Sequence, residues 1–127
     1  MNKSGLILFA HGARDPRWSA PFEAVAGRLR QQHPDTEVRL AFLELMQPDL
    51  AGAGADLAAA GCHRVGVLPM FLGAGGHVRK DLPVLVDALR RDHPAVEWVL
   101  HPLLGEQPAM IDAMAAFAAS LVDRALP

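Results

Sequence analysis

Two histidines, at positions 11 and 77, each follow an apolar run and stand beside glycine. The first closes Leu6-Ile-Leu-Phe-Ala-His11-Gly-Ala-Arg-Asp15. The second lies in Val65-Gly-Val-Leu-Pro-Met-Phe-Leu-Gly-Ala-Gly-Gly-His77-Val-Arg-Lys-Asp81. A neutral imidazole can bind a metal or take up a proton near neutral pH. Glu44, in Phe42-Leu-Glu44-Leu-Met-Gln-Pro48, adds a carboxylate at the end of a third apolar run. Two imidazoles and a carboxylate suit a first-row divalent ion. Each residue also has a plainer reading. His11 could hydrogen-bond its own turn, His77 could cap a helix, and Glu44 could offset the charge of a helix start. The three positions are far apart in sequence, so the set is less specific than a compact metal motif.

Basic residues cluster just beyond the histidines: Arg14, Arg17, Arg79 and Lys80. They could receive an anionic substrate, or they could be solvated charges at helix starts. The run Gly73-Ala74-Gly75-Gly76 lets backbone approach a ligand closely. It lacks the Lys-Ser/Thr of a Walker loop and is not G-x-G-x-x-G. His33 and His93 precede prolines at helix ends and His63 precedes a strand, which are structural positions. His101 ends the fourth apolar run and stays open. Cys62 reads as a small apolar filler, and Trp18 and Trp98 read as packing.

A sheet must hold these residues together. Apolar runs at Gly5–Ala10, Glu37–Leu43, Arg64–Phe71 and Val96–His101 predict strands. The first and third are almost continuously aliphatic, as in strands buried on both faces of a parallel sheet. Helical spacing predicts helices from Pro16 to about Gln32, Pro48 to Ala60, Leu82 to about Arg91 and Pro108 to about Arg124. The order βαβαβαβα predicts an α/β fold, an open parallel four-stranded sheet with helices on both faces. The turns after its strands open toward a ligand crevice. Leu29-Arg-Gln-Gln-His33-Pro34-Asp-Thr-Glu37 aligns with Leu89-Arg-Arg-Asp-His93-Pro94-Ala-Val-Glu97 at a constant offset of 60. We read one domain over 1–127 with two weak βαβα repeats, about 1–61 and 62–127. Chance similarity of two helix-to-strand junctions is the alternative.

With 127 residues, 51% hydrophobic and 20% charged, the chain can build one packed core. Its net charge is −2 and it has no Lys/Arg block, which argues against nucleic acid as a partner. Its apolar runs fall short of the ~20 residues of a membrane span. The first residues lack the pattern of a signal peptide. With a single cysteine there is no internal disulfide, and a cytoplasmic location is expected.

The stretches Leu8-Phe-Ala-His11-Gly-Ala-Arg-Asp-Pro16, Phe42-Leu-Glu44 with Pro48, and Pro69-Met-Phe-Leu-Gly-Ala-Gly-Gly-His77-Val-Arg-Lys-Asp81-Leu-Pro83 resemble the short form of the sirohydrochlorin cobaltochelatases, class II tetrapyrrole chelatases. The likeness covers almost the whole chain, and Gly-Gly-His-Val-Arg-x-Asp is its most specific part. Ala13 replaces the serine often found in His-Gly-Ser-Arg. The resemblance implies a chelatase-like, flavodoxin-like fold. It also implies insertion of Co²⁺ into sirohydrochlorin for cobalamin, with Fe²⁺ for sirohaem or Ni²⁺ as alternatives. By the same resemblance His11 is proton acceptor and metal ligand, and His77 is the second ligand. Glu44 and the loop Leu72, Gly73, Ala74, Gly75, Gly76 and His77 contact the tetrapyrrole. Arg14 and Arg79 are candidates for its carboxylates. No cofactor is expected beyond the substrate metal. A chain of this length is expected to form a homodimer around a shared cleft. Two other readings stay open: a non-catalytic metal or tetrapyrrole carrier of the same fold, and a flavodoxin-like module binding phosphate through Gly73–Gly76.

Overall fold

The computed structural model describes residues 3–125, and side-chain surroundings as far as residue 122. Four strands, β1 (Lys3–Ala10), β2 (Glu37–Phe42), β3 (Cys62–Pro69) and β4 (Glu97–Leu100), pair in parallel in the order β2-β1-β3-β4. Between and after them run α1 (Ala20–Gln32), α2 (Leu50–Ala59), α3 (Gly76–Asp92) and α4 (Pro108–Ala125). The chain steps from β1 outward to β2, then crosses back over β1 to reach β3. The order therefore reverses between β1 and β3, and the crevice beyond their carboxyl ends is where open α/β sheets bind ligands.

Alternation along the strands divides the core. Ile7, Phe9, Val65 and Val67 join Leu57 of α2 and Val86 of α3 on one face. Each fully buried aliphatic or aromatic side chain there contributes roughly 1.5–3 kcal/mol by leaving water. On the other face α1 is the cover, and only Leu8, Ala26 and Val38 form its fully buried cluster. Leu6, Leu40, Leu68 and Met70 remain partly exposed around them.

Several predicted boundaries move, two helix starts and three strand ends among them. The helix expected from Pro16 begins as a short 3-10 turn, Pro16–Ser19, capped by Asp15, and becomes α-helical at Ala20. The helix expected from Leu82 starts six residues earlier, at Gly76, with Gly75 as its N-cap. Two consecutive glycines conceal that start, because their intrinsic helix preference is poor. Pro83 then lies inside the helix rather than at its first turn. Pro83 is exposed, while Leu82, Val86 and Leu89 bury the opposite side and offset the missing backbone bond. Finally, β2, β3 and β4 stop one or two residues short of their predicted ends.

The two aligned helix-to-strand junctions are built alike. His33 and His93 adopt φ, ψ of −134, 69 and −133, 69 and donate backbone bonds of 2.8 Å to Leu29 and Leu89. Arg30 and Arg90 each donate at 2.9 Å to the carbonyl of the next strand, at Val38 and Trp98.

Candidate functional site

His11 is the first residue after β1, and the backbone carries the β1–β2 pairing past the strand ends to reach Glu44. Leu43 N–H donates to Ala10 at 2.9 Å and Glu44 N–H donates to the His11 carbonyl at 3.0 Å. Gly12 makes this possible. Its φ is +95, and a Cβ there would collide with the Glu44 carbonyl oxygen. Glycine is the residue that accepts both conditions. The side chains then meet: His11 Nε2 lies 2.8 Å from Glu44 Oε1. The imidazole also sets its edge against Phe71, with centroids 6.1 Å apart and planes at 67°. An ionised carboxylate can only accept, so in this contact Nε2 is the donor, and the neutral imidazole then has its lone pair on Nδ1, open to a proton or a metal. Both side chains are about half exposed, at 48% and 54%.

After Glu44 the chain turns sharply. Leu45 has φ of 66, and Met46 N–H donates to the Glu44 carbonyl at 2.8 Å. A non-glycine residue in that region stores backbone strain, which concentrates at functional sites. The Leu45 side chain is 58% exposed, so packing does not demand the conformation.

The second predicted segment begins after β3. Leu72, Gly73, Gly75, Gly76 and His77 are exposed, and Ala74 packs against the edge of the core. The expected glycine loop ends sooner than its sequence suggests, since Gly76 and His77 already belong to α3. His77 therefore has its backbone set by a helix. Gly105 supports the loop from beneath: its N–H donates to Phe71 at 2.9 Å, and a Cβ there would run into the Leu72 backbone.

The basic residues separate into two kinds. Arg17 is engaged by its neighbour, donating at 2.9 Å to Asp15, whose carboxyl is held below its ordinary value by that bond. Arg79 donates at 3.0 Å to the Ala74 carbonyl and at 3.1 Å to Glu106. It links the glycine loop to the 3-10 turn Leu104–Glu106 while its side chain stays half exposed. Arg14 and Lys80 are exposed. His101 points elsewhere: its Nε2 lies 2.8 Å from where a Cβ of Gly66 would stand, over the face of the sheet covered by α1.

Among the described residues no three His, Cys, Asp or Glu side chains come close enough to hold an ion together. The structure pairs His11 with Glu44 and leaves His77 outside that pair. Phe71, Leu45 and Glu106 were not singled out by sequence reasoning. An aromatic ring, a strained leucine and a distant acid carry no local signature, and the sheet register alone aligns them with the site.

The description CbiX belongs to a family model that matches residues 5–120. A sirohydrochlorin cobaltochelatase of Methanosarcina acetivorans is 33% identical over 81 residues, 64% of this chain and 62% of the relative. One of Methanothermobacter thermautotrophicus is 33% identical over 64% of this chain and 56% of its own length. The matched region thus spans less than two thirds of either relative. A solved Marinobacter aquaeolei chain, assigned to cobalamin (vitamin B12) biosynthesis as CbiX, superposes with a TM-score of 0.82 at 30% identity, covering 95% of this chain and 98% of that one. The sirohydrochlorin chelatase SirB of Bacillus subtilis subspecies spizizenii, solved with cobalt, shares the fold at TM-score 0.71 and 18% identity, over 80% of this chain and 43% of its own.

Proposed function

The chain belongs to the CbiX family, and from that membership we propose that it is a chelatase inserting Co²⁺ into sirohydrochlorin on the way to cobalamin. The observation that carries the proposal is the His11–Glu44 pair, 2.8 Å apart at the carboxyl edge of the sheet. Insertion exchanges two pyrrole protons for one divalent ion. A general base must take the protons, and a ligand must guide the ion while leaving positions for ring nitrogens. His11 has the free Nδ1 for either task, and Glu44 holds the ring that presents it. His77, at the start of α3, is the second ligand, and it meets the ion together with the macrocycle. The exposed rim of Glu44 and Leu72–His77 receives the flat face of the ring. Arg14 reaches the peripheral carboxylates, and Arg79 acts chiefly by holding the loop.

The metal is a substrate of this reaction, and Fe²⁺ and Ni²⁺ are the alternatives to Co²⁺. The site is an open edge with exposed side chains, which fits a wide ligand sandwiched between two copies better than one enclosed in a pocket. The fold of this chain accounts for 43% of the longer SirB chain. We infer that two copies pair to complete the cleft, and that each copy is one domain of two related units, about 1–61 and 62–127. Cys62 is free and buried, in keeping with a cytoplasmic protein.

The test is insertion into sirohydrochlorin, followed by absorbance, with Co²⁺, Fe²⁺ and Ni²⁺ side by side. Multiple turnovers with Co²⁺ at the highest rate support the assignment. A halt after one equivalent per chain would identify a carrier. Faster turnover with Fe²⁺ would move the chain to sirohaem synthesis.

A further inference from the structure

Helix α3 begins without the usual local devices. Its N-cap, Gly75, makes no side-chain capping bond, its first turn holds no acidic residue, and its first residue is Gly76. Glycine disfavours the helical state. Arg79, at the end of that first turn, adds a positive charge where the helix dipole disfavours one. His77 lies in the same turn. Whatever fixes the start of α3 therefore fixes the second proposed ligand.

A segment distant in sequence supplies what this start lacks. The Glu106 carboxylate accepts from Arg79 Nη2 at 3.1 Å, while Arg79 Nε donates at 3.0 Å to the Ala74 carbonyl just before the helix. The carboxylate offsets the Arg79 charge at the positive end of α3. The planar guanidinium bridges loop and turn in a fixed fork. Gly105 braces the other end of the loop. Its N–H donates to the Phe71 carbonyl at 2.9 Å, and its missing Cβ leaves room for the Leu72 backbone. Phe71 is buried and sets its ring against His11. An unbroken series of contacts thus runs from His11 through Phe71, Gly105, Glu106 and Arg79 to the turn that carries His77. Helix α4 packs substantially on the Leu104–Glu106 turn alone among the described residues, leaving Ile111, Phe117 and Leu121 exposed. The turn, not that helix, meets the loop.

We propose that the Leu104–Glu106 turn is the strut that sets His77 relative to His11, and that Glu106 is a positioning residue for metal insertion. The inference rests on the function proposed above. It adds a residue that acts through Arg79 rather than by touching the ion or the macrocycle. The Arg79 and Glu106 side chains are 49 and 46% exposed, and ion pairs at that exposure contribute little to global stability. Removing the carboxylate should release the start of α3 and leave the fold standing.

The test compares wild type, Glu106→Ala, Arg79→Ala and the double variant. Amide hydrogen exchange read by NMR reports the start of α3, and insertion of Co²⁺ into sirohydrochlorin followed by absorbance reports the reaction. In Glu106→Ala, exchange should quicken at the Arg79 amide, which bonds to the Gly75 carbonyl at 3.1 Å. The amides of β1 and β3 and the melting temperature should not change. A misplaced ligand slows delivery of the ion, so kcat should fall about 10–100-fold while the KM for sirohydrochlorin holds. Adding Glu106→Ala to Arg79→Ala should cost nothing further, because the effect passes through the guanidinium. Unchanged exchange at Arg79, a raised KM with unchanged kcat, or an additive loss in the double variant would each overturn the strut. A wild type that inserts no metal would overturn the proposed function instead. The strut would then be judged by exchange alone, and an unaltered Arg79 amide in Glu106→Ala would overturn it too.

Discussion

His11 and Glu44 were separable in sequence only as two candidates with plain alternatives. The 2.8 Å contact makes them one unit. Removing the imidazole should remove both the proton acceptor and the ligand, so His11→Ala should lower the insertion rate by at least ~10²-fold while the far-ultraviolet spectrum stays unchanged. Glu44→Gln keeps the shape and can still accept from Nε2, but it loses the charge. A loss of roughly 10–100-fold is expected, the usual cost of altering a group that orients a ligand. Equal rates for Glu44→Gln and wild type in the absorbance assay would remove Glu44 from the chemistry. Cys62 tests a different property. Burial pushes its thiol up, so in the folded chain it stays protonated at pH values where an unfolded thiol ionises. The stability this contributes is complete below about pH 8.5 and declines as pH rises toward the folded value. Urea midpoints should therefore fall on the alkaline side, and Cys62→Ala should flatten that part of the profile. An identical alkaline slope in the variant would show that other groups control it.

At the scale of elements, two glycines decide how strand ends and loops approach one another. Gly12→Ala would put a Cβ into the Glu44 carbonyl at a φ of +95. We expect a destabilisation of about 1–3 kcal/mol and a loss of insertion activity larger than that of Ala13→Ser, which leaves the turn intact. Denaturant midpoints and rates measured together check this, and an unaltered Gly12→Ala variant would mean that the turn relaxes freely. Sequence patterns found all four strands and all four helices in their order, with shifted ends, because period and apolar content report burial directly. They misplaced the start of α3 because glycine there obeys the needs of the loop rather than helix preference.

For the whole molecule, the unevenly covered sheet and the bare stripe of α4 leave apolar surface that the homodimer proposed above would cover. Linkage requires that a copy binding only the folded state raises the melting temperature as concentration rises. The wild-type chain should show this rise over a hundredfold range of concentration, and Phe117→Asp/Leu121→Asp should not. A melting temperature independent of concentration for both would mean that the fold stands alone.

Local information in the chain was enough for the α/β class, the order of elements, the two candidate histidines beyond β1 and β3 and the family resemblance. Each of these depends on residue type and on spacing within a single segment. Only the tertiary structure joined His11 to Glu44, assigned Arg79 to the loop and left α4 without a sheet to cover. Those outcomes depend on the register between strands distant in sequence and on which face each crossover takes, neither of which is written within any single segment.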